Sequence, residues 1–147
     1  MVASTAPQDV WATATGLEGE LPTIYRYRKN RPDSVAASDF PIALRVVWPY
    51  DGSVRNGMPP SDQNEAQVLF EDAVDCLGNG QHGCLMLVLT GNGRKEWLYY
   101  VRDPEEWTSV LNSCLVDHPA YPLEIGHWRD GDWSTWRNFT ASMTDGS

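Results

Sequence analysis

Lysine and arginine are absent from two long stretches of this chain. Asn56 to Gly93 carries five acids (Asp62, Glu65, Glu71, Asp72, Asp75), and Asp103 to Trp128 carries five more (Asp103, Glu105, Glu106, Asp117, Glu124). Most soluble helices mix Glu with Lys, because opposite charges at i,i+4 help slightly and like charges repel by a similar amount. Long apolar runs are also lacking. The longest, Cys84 to Leu89, is far short of a membrane span, so no membrane partner is expected. Met1 to Val10 has neither a basic segment nor an apolar stretch, so no signal peptide is expected and the location read from the sequence is cytoplasmic. Three cysteines without framework spacing exclude a disulfide scaffold and read as reduced thiols. No phosphate loop, nucleotide fingerprint, nucleophile elbow or HExxH pair is present. Nothing assembles a nucleophile, its base and an orienting group, so neither enzymatic function nor a cofactor is expected.

What is present describes one globular domain. The 147 residues are 41% apolar and 21% charged, with seven Trp to supply a core. A net charge of −9 disfavours nucleic acid, because affinity for phosphate backbones comes from Lys and Arg. Residues 1–8 and 140–147 are small and polar and read as frayed ends around a single domain at 9–139. Val10–Thr15 and Thr23–Arg28 are β-branched and aromatic, and read as an N-terminal hairpin around a Gly- and Pro-containing loop from Gly16 to Pro22. Ile42–Trp48 reads as a strand.

The first cation-free stretch begins a helix from about Asp62 to Leu77, capped by Ser61 or Asp62. Its stripe is Ala66, Leu69, Phe70, Ala73, Val74 and Leu77, and Gly78-Asn79-Gly80 stops it with a left-handed C′ glycine. Cys84–Thr90 and Lys95–Arg102 form strands around Gly91-Asn92-Gly93, a hairpin signal. Asp103-Pro104-Glu105-Glu106 starts a second helix with Trp107, Val110, Leu111 and Cys114 on its stripe. Leu123–His127 is a last short strand.

The order β-α-β-β-α-β from Ile42 onward predicts an α+β fold with a ferredoxin-like split core, both helices on one sheet face. The two cation-free helices then form one acidic layer, and Glu71, Asp72, Asp75, Glu105 and Glu106 lie outside the apolar stripes. Those five are the candidate contacts for a basic protein surface; the competing reading is a face kept charged for solubility. Strands Cys84–Thr90 and Lys95–Arg102 are apolar on both sides, so the second sheet face should be covered too. The N-terminal hairpin, the Trp-rich C-terminal segment or the second subunit of a homodimer are the candidates.

Cys76, His82 and Cys84, with His118 and His127 elsewhere, do not give the paired spacings of a four-ligand zinc site, and Asp130-Gly131-Asp132 lacks the rest of a calcium loop. No metal is expected. Tyr25, Arg26, Tyr27, Arg28, Lys29 and Arg31 interleave aromatics with cations, the pattern of a single-stranded RNA-binding module. A strand with one buried aromatic side and one wet basic side explains the same pattern. Trp97 and Tyr99 suit base stacking, but Glu96 stands where such modules carry Gly. Trp128, Trp133 and Trp136 either pin the tail or form an aromatic interaction patch.

Several short motifs resemble a bacterial family of uncharacterised proteins, the domain-of-unknown-function family 695. They are Asn30-Arg31-Pro32 after an aromatic strand, Gly57-Met58-Pro59 before an acidic helix, Thr90-Gly91-Asn92-Gly93-Arg94-Lys95-Glu96 leading into Tyr99-Tyr100, and Asp132-Trp133-Ser134-Thr135-Trp136. The likeness covers roughly Val10 to Phe139 and departs at Trp136, where Tyr would be expected. The resemblance implies an α+β fold with no established activity or catalytic residues. It also implies a distant association with regulator B, an acidic α+β inhibitor of ribonuclease E.

Overall fold

The computed structural model describes residues 10–145, with side chains described to Met143. The frayed segment expected at 1–8 lies outside the described residues. Two strands open the chain, β1 (Trp11–Glu18) and β2 (Leu21–Arg28), joined by Gly19 and Glu20. Gly19 takes φ +62°, as a two-residue hairpin turn requires. The hairpin is longer than its composition suggests, because Gly16 pairs with Thr23 and Leu17 with Pro22. Pro22 is tolerated because β2 pairs with β4 (Gly83–Gly91) only from Thr23 to Tyr27.

The remaining elements are β3 (Ile42–Pro49), α1 (Ser61–Ala73), a 3-10 turn (Asp75–Leu77), β5 (Arg94–Val101), α2 (Pro104–Cys114), β6 (Glu124–Arg129) and α3 (Ser134–Asp145). The fold is α+β, with a six-stranded sheet in the order β1-β2-β4-β5-β3-β6 and every pairing antiparallel. Asn92 and Gly93 close β4 onto β5 with φ of +51° and +83°, the two left-handed positions of a tight hairpin. No described helix is long and apolar enough to cross a membrane.

Both sheet faces are buried, by different elements. On one face Leu44, Val46, Trp48, Val88, Trp97, Tyr99 and Val101 pack with Phe70 and Val74 of the α1 region and with Trp107 and Leu111 of α2. On the other, Ala43, Cys84, Met86, Leu98 and Tyr100 pack with Val35 and Phe40 of the loop before β3 and with Trp133 and Trp136. The second cover therefore comes from the chain itself. Trp133 stacks on Tyr100 at 4.4 Å and 11°. Its Nε1 donates to the Phe40 carbonyl, and Trp136 Nε1 donates to the Arg28 carbonyl, each at 2.9 Å. These two tryptophans pin the C-terminal segment. Residues Thr140–Asp145, which composition places in a frayed end, continue α3.

Local expectations for β4 and α1 are corrected. Strict alternation would put Leu85, Leu87 and Leu89 on one face of β4. A bulge between Leu85 and Leu87 breaks that alternation: Leu85 and Val88 face α1 and α2, while Met86 and Leu87 both face the α3 side. The helix α1 is also rotated and shorter than expected. Its buried seam carries Gln67 and Phe70, with Ala66 and Ala73 beside them, whereas Leu69 is 59% exposed. Gln63 explains part of this rotation, because Trp48 Nε1 donates to its Oε1 at 2.9 Å. Pro60 occupies the N-cap position without a side-chain cap, so neither Ser61 nor Asp62 plays that part. Gly78 has φ −123°, not the left-handed value expected of a helix-stopping glycine. A 3-10 turn ends the helical segment instead.

Candidate functional site: the acidic helices and the cleft beside them

Neither α1 nor α2 contains Lys or Arg. Asp72, Asp75, Glu105 and Glu106 are exposed, and among the described residues none of the four makes a salt bridge. The start of α2 is built locally: the Asp103 carboxylate accepts from the N–H of Glu105 at 3.0 Å and of Glu106 at 3.4 Å, with Pro104 at the first helical position. That leaves the Glu105 and Glu106 side chains to solvent.

Glu71 is different. Its Oε2 accepts from Trp97 Nε1 at 2.8 Å and from Arg26 Nη2 at 3.2 Å, and lies 3.5 Å from Lys95 Nζ. The one acid of α1 that reaches the sheet is neutralised from β2 and β5. Beside it opens a cleft of about 310 Å³. Trp11, Arg26 and Arg28 line one side, Asp72 and Asp75 the other, and Leu85, Trp97 and Tyr99 the floor. Burial raises the Tyr99 hydroxyl well above the ordinary tyrosine range, and the negative charge of Glu71 and Asp75 adds to the effect. Tyr99 is thus a neutral phenol in this cleft, not a titrating group.

The six residues of the basic aromatic segment do not share a surface. Tyr25 and Tyr27 face the α3 side, where the Phe139 ring covers both at 5.1 and 5.3 Å between centroids. Arg26 and Arg28 face the opposite side, over the Trp11 ring at 5.3 and 4.8 Å. Arg28 is 7% exposed, and its Nε donates to the Leu85 carbonyl at 2.7 Å. Lys29 is exposed, while Arg31 Nε donates to the Val35 carbonyl at 2.8 Å and braces the loop. Trp97 and Tyr99, the pair suited to base stacking, are buried beneath the helices.

Among the described residues the metal-like groupings do not converge on one site. Cys84 is buried and donates to Met86 Sδ, and Cys76 faces Cys114. Asp130 caps α3: its carboxylate accepts from Ser134 N at 2.9 Å, Ser134 Oγ at 2.7 Å, Thr135 N at 3.0 Å and Tyr100 OH at 2.7 Å. Burial opposes ionisation of Asp130, but these donors outweigh it and hold the carboxyl at about 2. Among the described residues no group of three or more His, Cys, Asp or Glu side chains is placed to hold a metal ion.

The exposed apolar residues of the helical layer were not legible as such. Val68 is 47% exposed and Leu69 59%, both on α1, and Val116 just beyond α2 is 77% exposed. The sequence signal was available for one of them: Val68 lies off the apolar stripe. Neither the curated proteins nor the solved structures contain a match to this chain. The model of one family, described as a family of unknown function (DUF695), matches residues 9–140, so the chain belongs to DUF695.

Proposed function

We propose that this protein is a non-enzymatic interaction module that presents the acidic surface of α1 and α2 to a basic protein partner. The observation that carries this reading is the exposure of Val68 and Leu69 on α1 and of Val116 just beyond α2, on helical segments whose exposed charged residues are all acidic. A layer charged only for solubility gains nothing from an exposed leucine and two valines. Apolar contacts flanked by charge are the usual anatomy of a binding patch. Two kinds of partner fit. One is a nucleic-acid enzyme whose basic groove the acids would occupy in place of phosphates, as a ribonuclease inhibitor does. The other is a basic toxin in an immunity-type pair.

From β3 onward the strand order β4-β5-β3-β6 supports a ferredoxin-like split β-α-β-β-α-β unit, with the N-terminal hairpin extending the sheet beyond β4. Such a unit sets α1 and α2 side by side on one face. A reducing compartment such as the cytoplasm suits its free thiols.

The test is retention of basic proteins from the native lysate at low salt, followed by association kinetics against the protein retained. The variants are Asp72→Asn, Asp75→Asn, Glu105→Gln and Glu106→Gln combined, and Leu69→Ser alone. The combined variant should fold normally and associate about tenfold more slowly or worse, because complementary fields act mainly on encounter. Leu69→Ser should speed dissociation instead. Wild-type affinity should fall as salt rises. Equal rates for the wild type and the combined variant would show that the layer is only a solvated surface.

A further inference from the structure

Cys76 sits in the 3-10 turn after α1, and Cys114 is the last residue of α2. They are 38 positions apart in sequence, yet their sulfurs face each other at 4.0 Å. Both are half-buried. Cys84, by contrast, is 0% exposed and engaged with Met86 on the opposite sheet face. Core packing accounts for Cys84. It does not by itself call for two partly accessible thiols to meet where two helical segments end.

We propose that Cys76 and Cys114 form a reversible redox site that closes to a disulfide by exchange with a low-molecular-weight disulfide. A disulfide bond is about 2.0 Å long, so the sulfurs must approach by about 2 Å. Rotation about χ1 in the two cysteines is one source of that movement. The backbone can supply the rest, because one residue lies in a single 3-10 turn and the other at a helix end, where hydrogen bonding is incomplete.

The chemistry balances as two exchanges. The Cys76 thiol loses its proton to solvent, and its sulfur attacks the small disulfide. A mixed disulfide forms, and one small thiolate leaves. The Cys114 sulfur, also deprotonated, then attacks the Cys76 sulfur of that intermediate. The protein disulfide forms, the second thiolate leaves, and the two protons end on the two small thiols. Two protein thiols are oxidised and one small disulfide is reduced. Burial, with Cys76 beside it, raises the Cys114 thiol above its ordinary range, so less of it is thiolate and it is a poor first nucleophile. Closure ties the turn that carries Asp75 to the end of α2. It would fix one wall of the cleft against the second helix, whatever partner the acidic surface takes.

The experiment equilibrates the full chain with mixtures of reduced and oxidised glutathione, quenches with an alkylating reagent and maps the thiols by mass spectrometry. Cys76 and Cys114 should lose reactivity together and appear in one linked pair of peptides, while Cys84 keeps its thiol. The oxidised form should melt about 5–10 °C higher, and dithiothreitol should reverse the shift. Cys114→Ser should trap glutathione on Cys76 with no gain in melting temperature, and Cys84→Ala should leave the linked pair intact. Independent modification of the two cysteines, a link between two chains, or a link formed only in unfolded protein would overturn the proposal.

Discussion

Trp97 and Glu71 are joined across the interface between the sheet and α1, with the indole Nε1–H donating to Oε2 at 2.8 Å. The ring is 0% exposed and belongs to the main core, so its N–H depends on this one carboxylate. Two cations, Arg26 and Lys95, approach the same oxygen. Among the acids of the helical layer, Glu71 therefore has a structural duty that its exposed neighbours Asp72 and Asp75 lack.

Substitution should separate those duties. Glu71→Ala leaves a shielded indole N–H without its acceptor and should cost about 1–3 kcal/mol. Glu71→Gln keeps an acceptor and loses mainly the pairs with half-exposed Arg26 and with Lys95, so its cost should stay below about 1 kcal/mol. Asp72→Ala should lie within about 0.5 kcal/mol of the wild type. Urea unfolding of the three variants checks the order, and equal costs for Glu71→Ala and Asp72→Ala would show that the Trp97 bond contributes nothing.

Asp130 makes the stability pH-dependent with a defined sign. Its folded value of about 2 is depressed from the ordinary 3.8, so the native state binds the proton less readily than the unfolded chain. The stabilisation is complete above about 3.8 and is lost as pH falls through about 2, amounting to roughly 2 kcal/mol. Asp130→Asn should remove that dependence. Comparing the acid limbs of denaturation for the two proteins tests this, and parallel limbs would refute it.

Arg28 belongs to the fold and not to a free basic surface. Arg28→Ala should cost about 2–3 kcal/mol, because the Leu85 carbonyl loses its donor and the Trp11 ring loses the guanidinium above it. An oligonucleotide-binding test that alters Arg28 would therefore mix lost stability with lost charge. Arg26→Gln with Lys29→Gln is the cleaner pair for that purpose. Thermal melting of Arg28→Ala is the check, and a melting temperature equal to the wild type would contradict the assignment.

Gln67 is fully buried on the seam of α1, and neither its Oε1 nor its Nε2 has a hydrogen-bond partner among the described residues. An unpaired buried amide costs about 1–3 kcal/mol. Gln67→Met, of similar length and volume, should then be neutral or stabilising by about 1 kcal/mol. If Gln67→Met destabilises by a similar amount, the amide is paired in solution.

Features set by neighbours in the chain could be read from the sequence. The turn at Asn92-Gly93, the cap at Asp103-Pro104 and the order of strands and helices each depend on residues within one or two turns of one another. So does the absence of cations from α1 and α2. The stripes also put Phe70, Val74, Leu77, Trp107 and Leu111 inward, as found, but tertiary structure decided the exact rotation of α1 and the facing of β4. The hydrophobic pattern pointed Leu69 at the core, but the indoles of Trp48 and Trp97 hold Gln63 and Glu71, and this sets the rotation that buries Gln67 and exposes Leu69. The bulge in β4 likewise turns Met86 and Leu87 to the same face, against the alternation that sequence implies. Arg26 and Glu71 are 45 positions apart, and Cys76 and Cys114 are 38 apart. Local propensity carries no information about such pairs, because their geometry exists only once the sheet has ordered its strands.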